Sequence, residues 1–452
     1  MAVHRSKERN IVYIYFISLV AAVGGLLFGF DTGVISGAIP FVTKHFNLNV
    51  YQEGFTVSVL IIACIIGASS TGALSDRFGE KKILIITAVF FTISAILSAV
   101  ARTHIDLIIA RFIGGLAVGS SSVLSPMYIS EVSPADIRGR LVSLNQLSIV
   151  LGILLTYFSN WLLVDIGLNN WRWMFGVESI PAGLFIFLLF CVPESPRWLA
   201  KQGQLDDAMR ILTEIGGSAQ SEIDMVEIKK SLKGEEGTFR VLFQPGLRKI
   251  LIIAVLLGFL SQICGIDAVI YYAPKIFMRS GYASASSAFL ASVIVGLVNF
   301  IFTIIAIAYV DKFGRKPLLL LGLIGMTASL SFAGYIMQLD TARSYLVLIP
   351  ILSFIAFFAF SMGPIPWIYI SEIFPNKIRG RAVSLATMAL WISNFIVVQS
   401  FPWLIEKIGG RSFYLFSLVC FITFFFVLAM MTETKGKTLE EIAQIWEHQK
   451  YG

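Results

Sequence analysis

Three ionisable residues stand inside runs that are otherwise apolar: Asp31 in FGFDTGVISG (28–37), Arg111 in ARFIGG (110–115) and Glu178 in the run from 171 to 192. A lone charge at the centre of a bilayer costs about 2.5–3.5 kcal/mol on insertion scales. At a helical rise of about 1.5 Å per residue, with the first helix running outward to about 38 and the other two running inward from about 105 and 171, all three fall roughly 10 Å below the outer ends of their helices. Groups at one level can satisfy each other if they converge. The chemistry open to such a set is proton binding. An acid that alternates between a protonated and an arginine-paired state couples a proton to a change of shape, and the second acid can take over the arginine. The other reading is a buried ion pair that locks three helices together.

A second group of polar residues lies near mid-depth. Asp267 and Gln262 fall on one apolar run, Asn299 on the next and Trp391 on a later one, with Gln146 in the first part of the chain. Amides donate and accept as hydroxyls do, and an indole covers an apolar face, so the set suits a neutral polyhydroxylated ligand. Each amide is also open to a plainer role as glue between helices. Gly265, beside Gln262, and the prolines of GPIPW (363–367) are helix breakers at membrane depth. Such breaks are tolerated where backbone lines a cavity or is buried in protein.

The elements that must position these residues follow from composition. Of 452 residues, 56% are hydrophobic and 14% charged, and mean hydropathy is +0.80. Soluble domains carry about 25% charged residues, so the chain reads as a polytopic, all-α membrane protein. Its net charge of +7 does not imply nucleic acid, because the charges fall in short clusters between apolar runs. Twelve runs are long enough to span, near 11–36, 55–74, 83–101, 105–126, 139–163, 171–192, 249–278, 286–310, 317–338, 345–368, 380–403 and 411–431. The first is too long, and followed by too many others, for a cleavable signal. Cys64, Cys191, Cys264 and Cys420 show no metal or disulfide spacing and read as apolar filler. With both termini on one side, that side holds 26 Lys and Arg and the other 8, with Arg111 left inside a span. This bias places both termini in the cytoplasm.

Residues 128–144, YISEVSPADIRGRLVSL, return at 369–385 as YISEIFPNKIRGRAVSL, and SDRFGEKK (75–82) returns as VDKFGRKP (310–317). The chain is therefore a duplicated six-helix unit in two bundles, 1–192 and 249–452, and parallel repeats of this kind place a substrate site between them near the midplane. The polar stretch 193–248 joins them. Leu205, Ala208, Met209 and Leu212 have helical spacing there, which predicts a short cytoplasmic helical domain, either a passive tether or a latch. Asp76, Arg77, Glu131 and Arg138 lie at helix ends in one copy, and Asp311, Arg315, Glu372 and Arg379 hold the matching places in the other. A repeated network of this sort can bias a two-state rocking motion.

The ordered motifs GALSDRFGEKK (72–82), ARFIGG (110–115), PMYISEVSPADIRG (126–139), NQLSIVLG (145–152), PESPRWL (193–199), YVDKFGRKP (309–317), GPIPWIYISEIFP (363–375) and TETKGKTLEE (432–441) resemble the sugar porter family of the major facilitator superfamily. The resemblance covers essentially the whole chain and is closest in flavour to bacterial xylose–proton and galactose–proton symporters. It implies alternating access between two six-helix bundles in the cell membrane. It also implies a monomer that carries a sugar and a proton, with no cofactor, no metal, no nucleic acid and no enzymatic activity. Asp31, Arg111 and Glu178 match the symporters' proton-coupling residues. Phe28, Gln146, Gln262, Asn299, Gly363, Trp367 and Trp391 match sugar-lining positions, Tyr271 and Tyr272 an outer aromatic gate, and Pro364 and Pro366 a gating break. Three positions depart from the family: Ser261 replaces the first glutamine of a pair, Asp267 replaces an asparagine and Leu390 an amide. The resemblance leaves room for a pentose, a hexose or an inositol-like polyol. Uncoupled uniport and a non-transporting receptor are the alternatives.

Overall fold

The computed structural model describes residues 10–134, 137–232, 242–282, 284–339, 344–374 and 376–435. Among them are twelve helices long and apolar enough to cross a membrane: Ile11–His45, Val50–Phe78, Glu80–Val100, His104–Val132, Arg138–Leu163, Asn170–Phe190, Leu247–Arg279, Ala285–Val310, Arg315–Ile336, Leu346–Ile370, Arg381–Lys407 and Gly409–Met430. They are called spans 1 to 12 below. Helices are the economical answer to lipid, because each backbone N–H and C=O is satisfied within its own segment. The fold is all-α, with no strand among the described residues.

Span 1 is longer than its apolar run suggests. It continues past residue 36 and through Pro40 to His45, and the chain turns only at Asn47, with φ +50°. Asp31 is therefore roughly 20 Å from that helix end, deeper than an end near residue 38 implies. Hydropathy reports where lipid contact stops, whereas the backbone ladder stops only where a turn is made.

The chain divides into two compact units. One comprises 1–31, 63–152 and 175–235; the other comprises 32–62, 153–174 and 236–452. The division follows packing rather than duplication, so spans 1, 2, 5 and 6 each contribute a segment to both units.

In the first unit, small residues let helices approach. A Cβ on Gly119 would strike the backbone of Cys64, and one on Gly152 the backbone of Leu26. The stretch after span 6 forms three short helices, Pro196–Lys201, Leu205–Gly216 and Ser218–Leu232. The buried stripe of the middle one is Ala208, Ile211, Leu212 and Ile215. Leu205, expected on that stripe, is 39% exposed, because it is the first residue of the helix and lies beyond the packed surface. The Trp198 indole donates to the Asp76 carbonyl at 3.1 Å and Lys201 Nζ reaches Asp76 Oδ1 at 2.8 Å. These bonds tie the first short helix to the end of span 2.

In the second unit, span 7 is two helices, Pro245–Ile263 and Ile266–Arg279. Gly265 joins them at φ +91°, the left-handed region that glycine enters without steric cost. A Cβ there would lie 2.5 Å from the Phe416 ring. Span 10 likewise breaks between Ser344–Phe360 and Ile365–Glu372, where Gly363 and Pro364 stand.

Candidate functional site

In the first unit, span 4 carries Arg111 and span 1 carries Asp31, and the two form a buried ion pair through Nη1 and Oδ1. Both are 1% exposed. Gly114, one turn beyond Arg111, makes room for the acid: a Cβ there would lie 2.9 Å from Asp31 Oδ2 and 2.5 Å from Ser94 Oγ. The Arg111 guanidinium also stands 5.8 Å from the centre of the Phe175 ring. Glu178 sits at the joint between the helices Asn170–Val177 and Ser179–Phe190. It is 3% exposed and within electrostatic reach of both Asp31 and Arg111.

This set is only half satisfied. Asp31 Oδ2 and Arg111 Nε and Nη2 are buried without a hydrogen-bond partner. Breaking a buried pair by removing one partner costs about 3–5 kcal/mol, because the other charge is stranded. A second acid beside the same arginine avoids that cost when the first takes up a proton.

In the second unit, Asp267 occupies the first turn of Ile266–Arg279. It is 8% exposed, and its Oδ2 is buried with no hydrogen-bond partner. A helix N-terminus favours a carboxylate by about 0.3–1 kcal/mol, rarely 2. The effective penalty for burying an unpaired ion is several kcal/mol, so the dipole alone does not compensate it. Asn299 on span 8 and Trp391 on span 11 are 6% and 5% exposed, and Gln262 is half-buried. Ser261 is buried and donates its hydroxyl to the Gly258 carbonyl at 2.7 Å. Asn394, one turn after Trp391, is buried with Oδ1 unpartnered. Its neighbourhood to Trp391 at helical spacing was the available sequence signal.

The second unit also closes on itself at one end. Lys275 and Glu53 form an ion pair, Ser58 Oγ donates to Gln399 Oε1 at 2.6 Å, and Gln399 Nε2 donates to the Tyr51 carbonyl at 3.2 Å. The Tyr157 hydroxyl donates to the Ile270 carbonyl at 2.6 Å and that of Tyr272 to the Val398 carbonyl at 3.0 Å. Tyr271 and Tyr272 are fully buried, and the backbone kinks at Tyr272, ahead of Pro274. Of these contacts, sequence reasoning singled out only the two tyrosines of span 7. Glu53, Lys275 and Tyr157 carry no pattern that marks them.

A family model described as "Sugar (and other) transporter" matches residues 17–446. The chain belongs to this transporter family. The arabinose-proton symporter of Bacillus subtilis (strain 168) is 42% identical over 449 residues, 98% of this chain and 97% of that protein. A partially occluded inward open conformation of the xylose transporter XylE from E. coli superposes with a TM-score of 0.85 at 39% identity, covering 95% of this chain and 100% of that one. The proton:xylose symporter XylE bound to 6-bromo-6-deoxy-D-glucose superposes with a TM-score of 0.79 at 40% identity, covering 97% and 100%. The transporter is thus a multi-pass membrane protein and not an enzyme.

The remaining expected residues of this transporter fall as follows. Phe28 and Gln146, both half-buried, belong to the first unit. Trp367 is 41% exposed on the short helix after Pro364. Gly363 N–H donates to the Phe358 carbonyl at 2.9 Å, within the break that Pro364 and Pro366 follow.

At the helix ends, Arg77 is exposed and lies over the Phe78 ring. Arg138 donates to the Ser133 carbonyl at 3.3 Å, and Glu131 accepts from Ser195 Oγ at 2.5 Å. In the second copy Arg315 Nη2 reaches Glu372 Oε1 at 2.7 Å, and Glu372 Oε2 accepts from Thr434 Oγ1 at 2.7 Å. The side chains of Asp311 and Arg379 lie outside the described residues.

Sequence reasoning missed two capping acids. Glu194 accepts from the N–H groups of Lys81 at 2.9 Å and Ser195 at 3.0 Å. Burial raises its pKa above the usual carboxylate value, more than those bonds lower it. Glu433 accepts from the N–H groups of Arg315, Lys316 and Lys435 at 2.9–3.1 Å. Burial raises this acid too, but the backbone donors outweigh it and leave the pKa lowered. The available signal was the pair of short strings PES (193–195) and TET (432–434).

Proposed function

We propose that this chain imports a pentose or hexose together with a proton by alternating access. The observation that carries the reading is the buried Asp31–Arg111 pair with unused guanidinium donors beside Glu178. Asp31 accepts the proton, Arg111 is released, and Glu178 holds it until the proton leaves. The proton:xylose and arabinose-proton symporters that the chain is similar to support the same coupling.

Gln262, Asp267, Asn299, Ser261, Trp391, Gly363 and Trp367 form the sugar-binding group of the second unit, and Phe28 and Gln146 are the sugar-binding positions of the first. Tyr271, Tyr272, Pro364 and Pro366 serve as gating positions. The bundles 1–192 and 249–452 are the moving bodies, and 193–248 is the helical domain between them. The Lys and Arg bias supports a cell-membrane protein with both termini cytoplasmic. The Glu53–Lys275 end is then extracellular. The helix-end charges at Asp76, Arg77, Glu131, Arg138, Asp311, Arg315, Glu372 and Arg379 are cytoplasmic and bias the rocking equilibrium. One chain supplies every residue named, so a monomer suffices.

Uptake of D-xylose and L-arabinose into proteoliposomes tests the reading. A pH gradient of one unit, acid outside, is expected to support up to about tenfold accumulation at one proton per sugar. Asp31→Asn is expected to equilibrate sugar without concentrating it. Transport that ignores the gradient, with Asp31→Asn accumulating as well as the parent, points instead to a uniporter with a structural ion pair.

A further inference from the structure

The repeat sets Asp31 and Asp267 in register. The strings GFDTGV (29–34) and GIDAVI (265–270) stand 236 residues apart, between the offsets of 235 and 241 that relate the two loop echoes. Each acid follows a glycine by two positions on the first span of its copy. The partners of Asp31 have no such counterparts. At the offset of 241 that relates YISE to YISE, Arg111 corresponds to Leu352. At the offset of 239 that relates Glu194 to Glu433, Glu178 corresponds to Ser417, whose hydroxyl donates to the Thr327 carbonyl at 2.9 Å. The second copy thus keeps the acid and lacks both the cation and the relay.

Among the described residues Asp267 forms no ion pair. The elements packed against its helix include Ala285–Phe313, Asn376–Lys407, Ser344–Phe360 and Pro245–Ile263, besides span 2 through Glu53, span 5 through Tyr157 and the last helix through Phe416. The first has no ionisable residue before Tyr309, the second none between Arg381 and Glu406, the third only Tyr345, and the fourth none beyond Lys249. Tyr157 approaches from span 5, and its hydroxyl is engaged with Ile270. On its own helix stand Tyr271, Tyr272, Lys275 and Arg279, with Cys264 just before it. Lys275 is eight residues away and held by Glu53.

A carboxylate buried this far, with Oδ2 unpartnered and no ion pair among the described residues, is disfavoured as an ion, whereas the neutral acid carries one O–H donor and one acceptor. We infer that Asp267 is a second protonatable acid of the transport cycle, neutral while the Glu53–Lys275 end is closed, and that its neutral form hydrogen-bonds the sugar hydroxyls. Sugar binding at alkaline pH therefore takes up a proton at Asp267, separately from Asp31. This rests on the reading of the chain as a sugar carrier.

The test is equilibrium binding of D-xylose and L-arabinose to the purified full chain in detergent, followed by tryptophan fluorescence without any gradient. An Asp31→Asn background removes that group's titration. There, affinity is expected to fall by about tenfold per pH unit above the transition, as one linked proton requires. Adding Asp267→Asn, whose amide keeps one donor and one acceptor, is expected to hold affinity within about twofold across the range. Asp267→Ser serves if the amide variant does not fold, because it also removes the titration. Affinity that does not change with pH in the Asp31→Asn background, or a slope that survives either second substitution, overturns the inference. Its failure is separable from failure of symport: vesicle accumulation reads the gradient, and this measurement does not.

Discussion

Glu194 and Glu433 stand 239 residues apart and play like parts, each bringing a carboxylate to the first turn of the helix that follows a left-handed glycine: Glu194 takes one N–H there, that of Lys81, and Glu433 takes two, those of Arg315 and Lys316. Those glycines are Gly79 at φ +97° and Gly314 at φ +89°. Asp31 and Asp267 stand 236 residues apart and do not match: one has an arginine, the other has none. The helix-end clasps are backbone-directed, so both copies need them for the same reason: the first N–H groups of any helix lack partners. The intramembrane acids cap no helix in common, and there the copies differ. Small differences at the ends follow the same logic. Tyr128 donates its hydroxyl to the Pro193 carbonyl at 2.7 Å, whereas Tyr369 accepts from the Thr432 N–H at 3.3 Å. Proline has no N–H to offer, so the hydroxyl reverses its role.

Making the first copy resemble the second is expected to have the largest effect. Arg111→Leu strands Asp31 and should cost about 3–5 kcal/mol in thermal unfolding near neutral pH, with gradient-driven accumulation lost. An unchanged midpoint would mean that the pair contributes no net stability. Next in size is Gly265→Ala, which forces a side chain into the left-handed region and toward the Phe416 ring. It should cost about 1–3 kcal/mol. The corresponding Gly29→Ala in span 1, where the helix is unbroken, should cost less.

The smallest effects separate the two clasps. Glu433 has a lowered pKa, so its contribution is present above the ordinary glutamate value and lost as pH falls through its own lower one. Glu433→Gln should therefore lower the melting temperature at neutral pH, by an amount near the about 1 kcal/mol of a lost cap, and the difference from the parent should shrink in acid. Glu194 has a raised pKa, so its contribution is full below the ordinary value and lost as pH rises through the raised one. Glu194→Gln should cost less than Glu433→Gln at neutral pH. Equal losses with equal pH dependence would erase the distinction.

Much of this was legible in the sequence. Lipid demands long apolar helices, so twelve spans could be counted, and the duplicated loops showed that six of them repeat the other six. Asp31, Arg111 and Glu178 were visible because charge in an apolar run is costly, and a common rise per residue placed them at one level. Asp267 was visible for the same reason, and Gly265 because few other residues tolerate its backbone angle. Hydropathy could not show that span 1 runs on to His45, nor that Leu205 lies off its stripe, since both depend on where packing and turns end.

Tertiary structure alone decided which charges meet. It paired Arg111 with Asp31, left Nε and Nη2 unused beside Glu178, and buried Asp267 Oδ2 with no hydrogen-bond partner among the described residues. It brought Glu53 to Lys275 from 222 residues away and Tyr157 to the Ile270 carbonyl. Periodicity assigns a residue to a helix face and a depth, but contact between helices depends on their rotation and approach, which side chains from distant parts of the chain settle together.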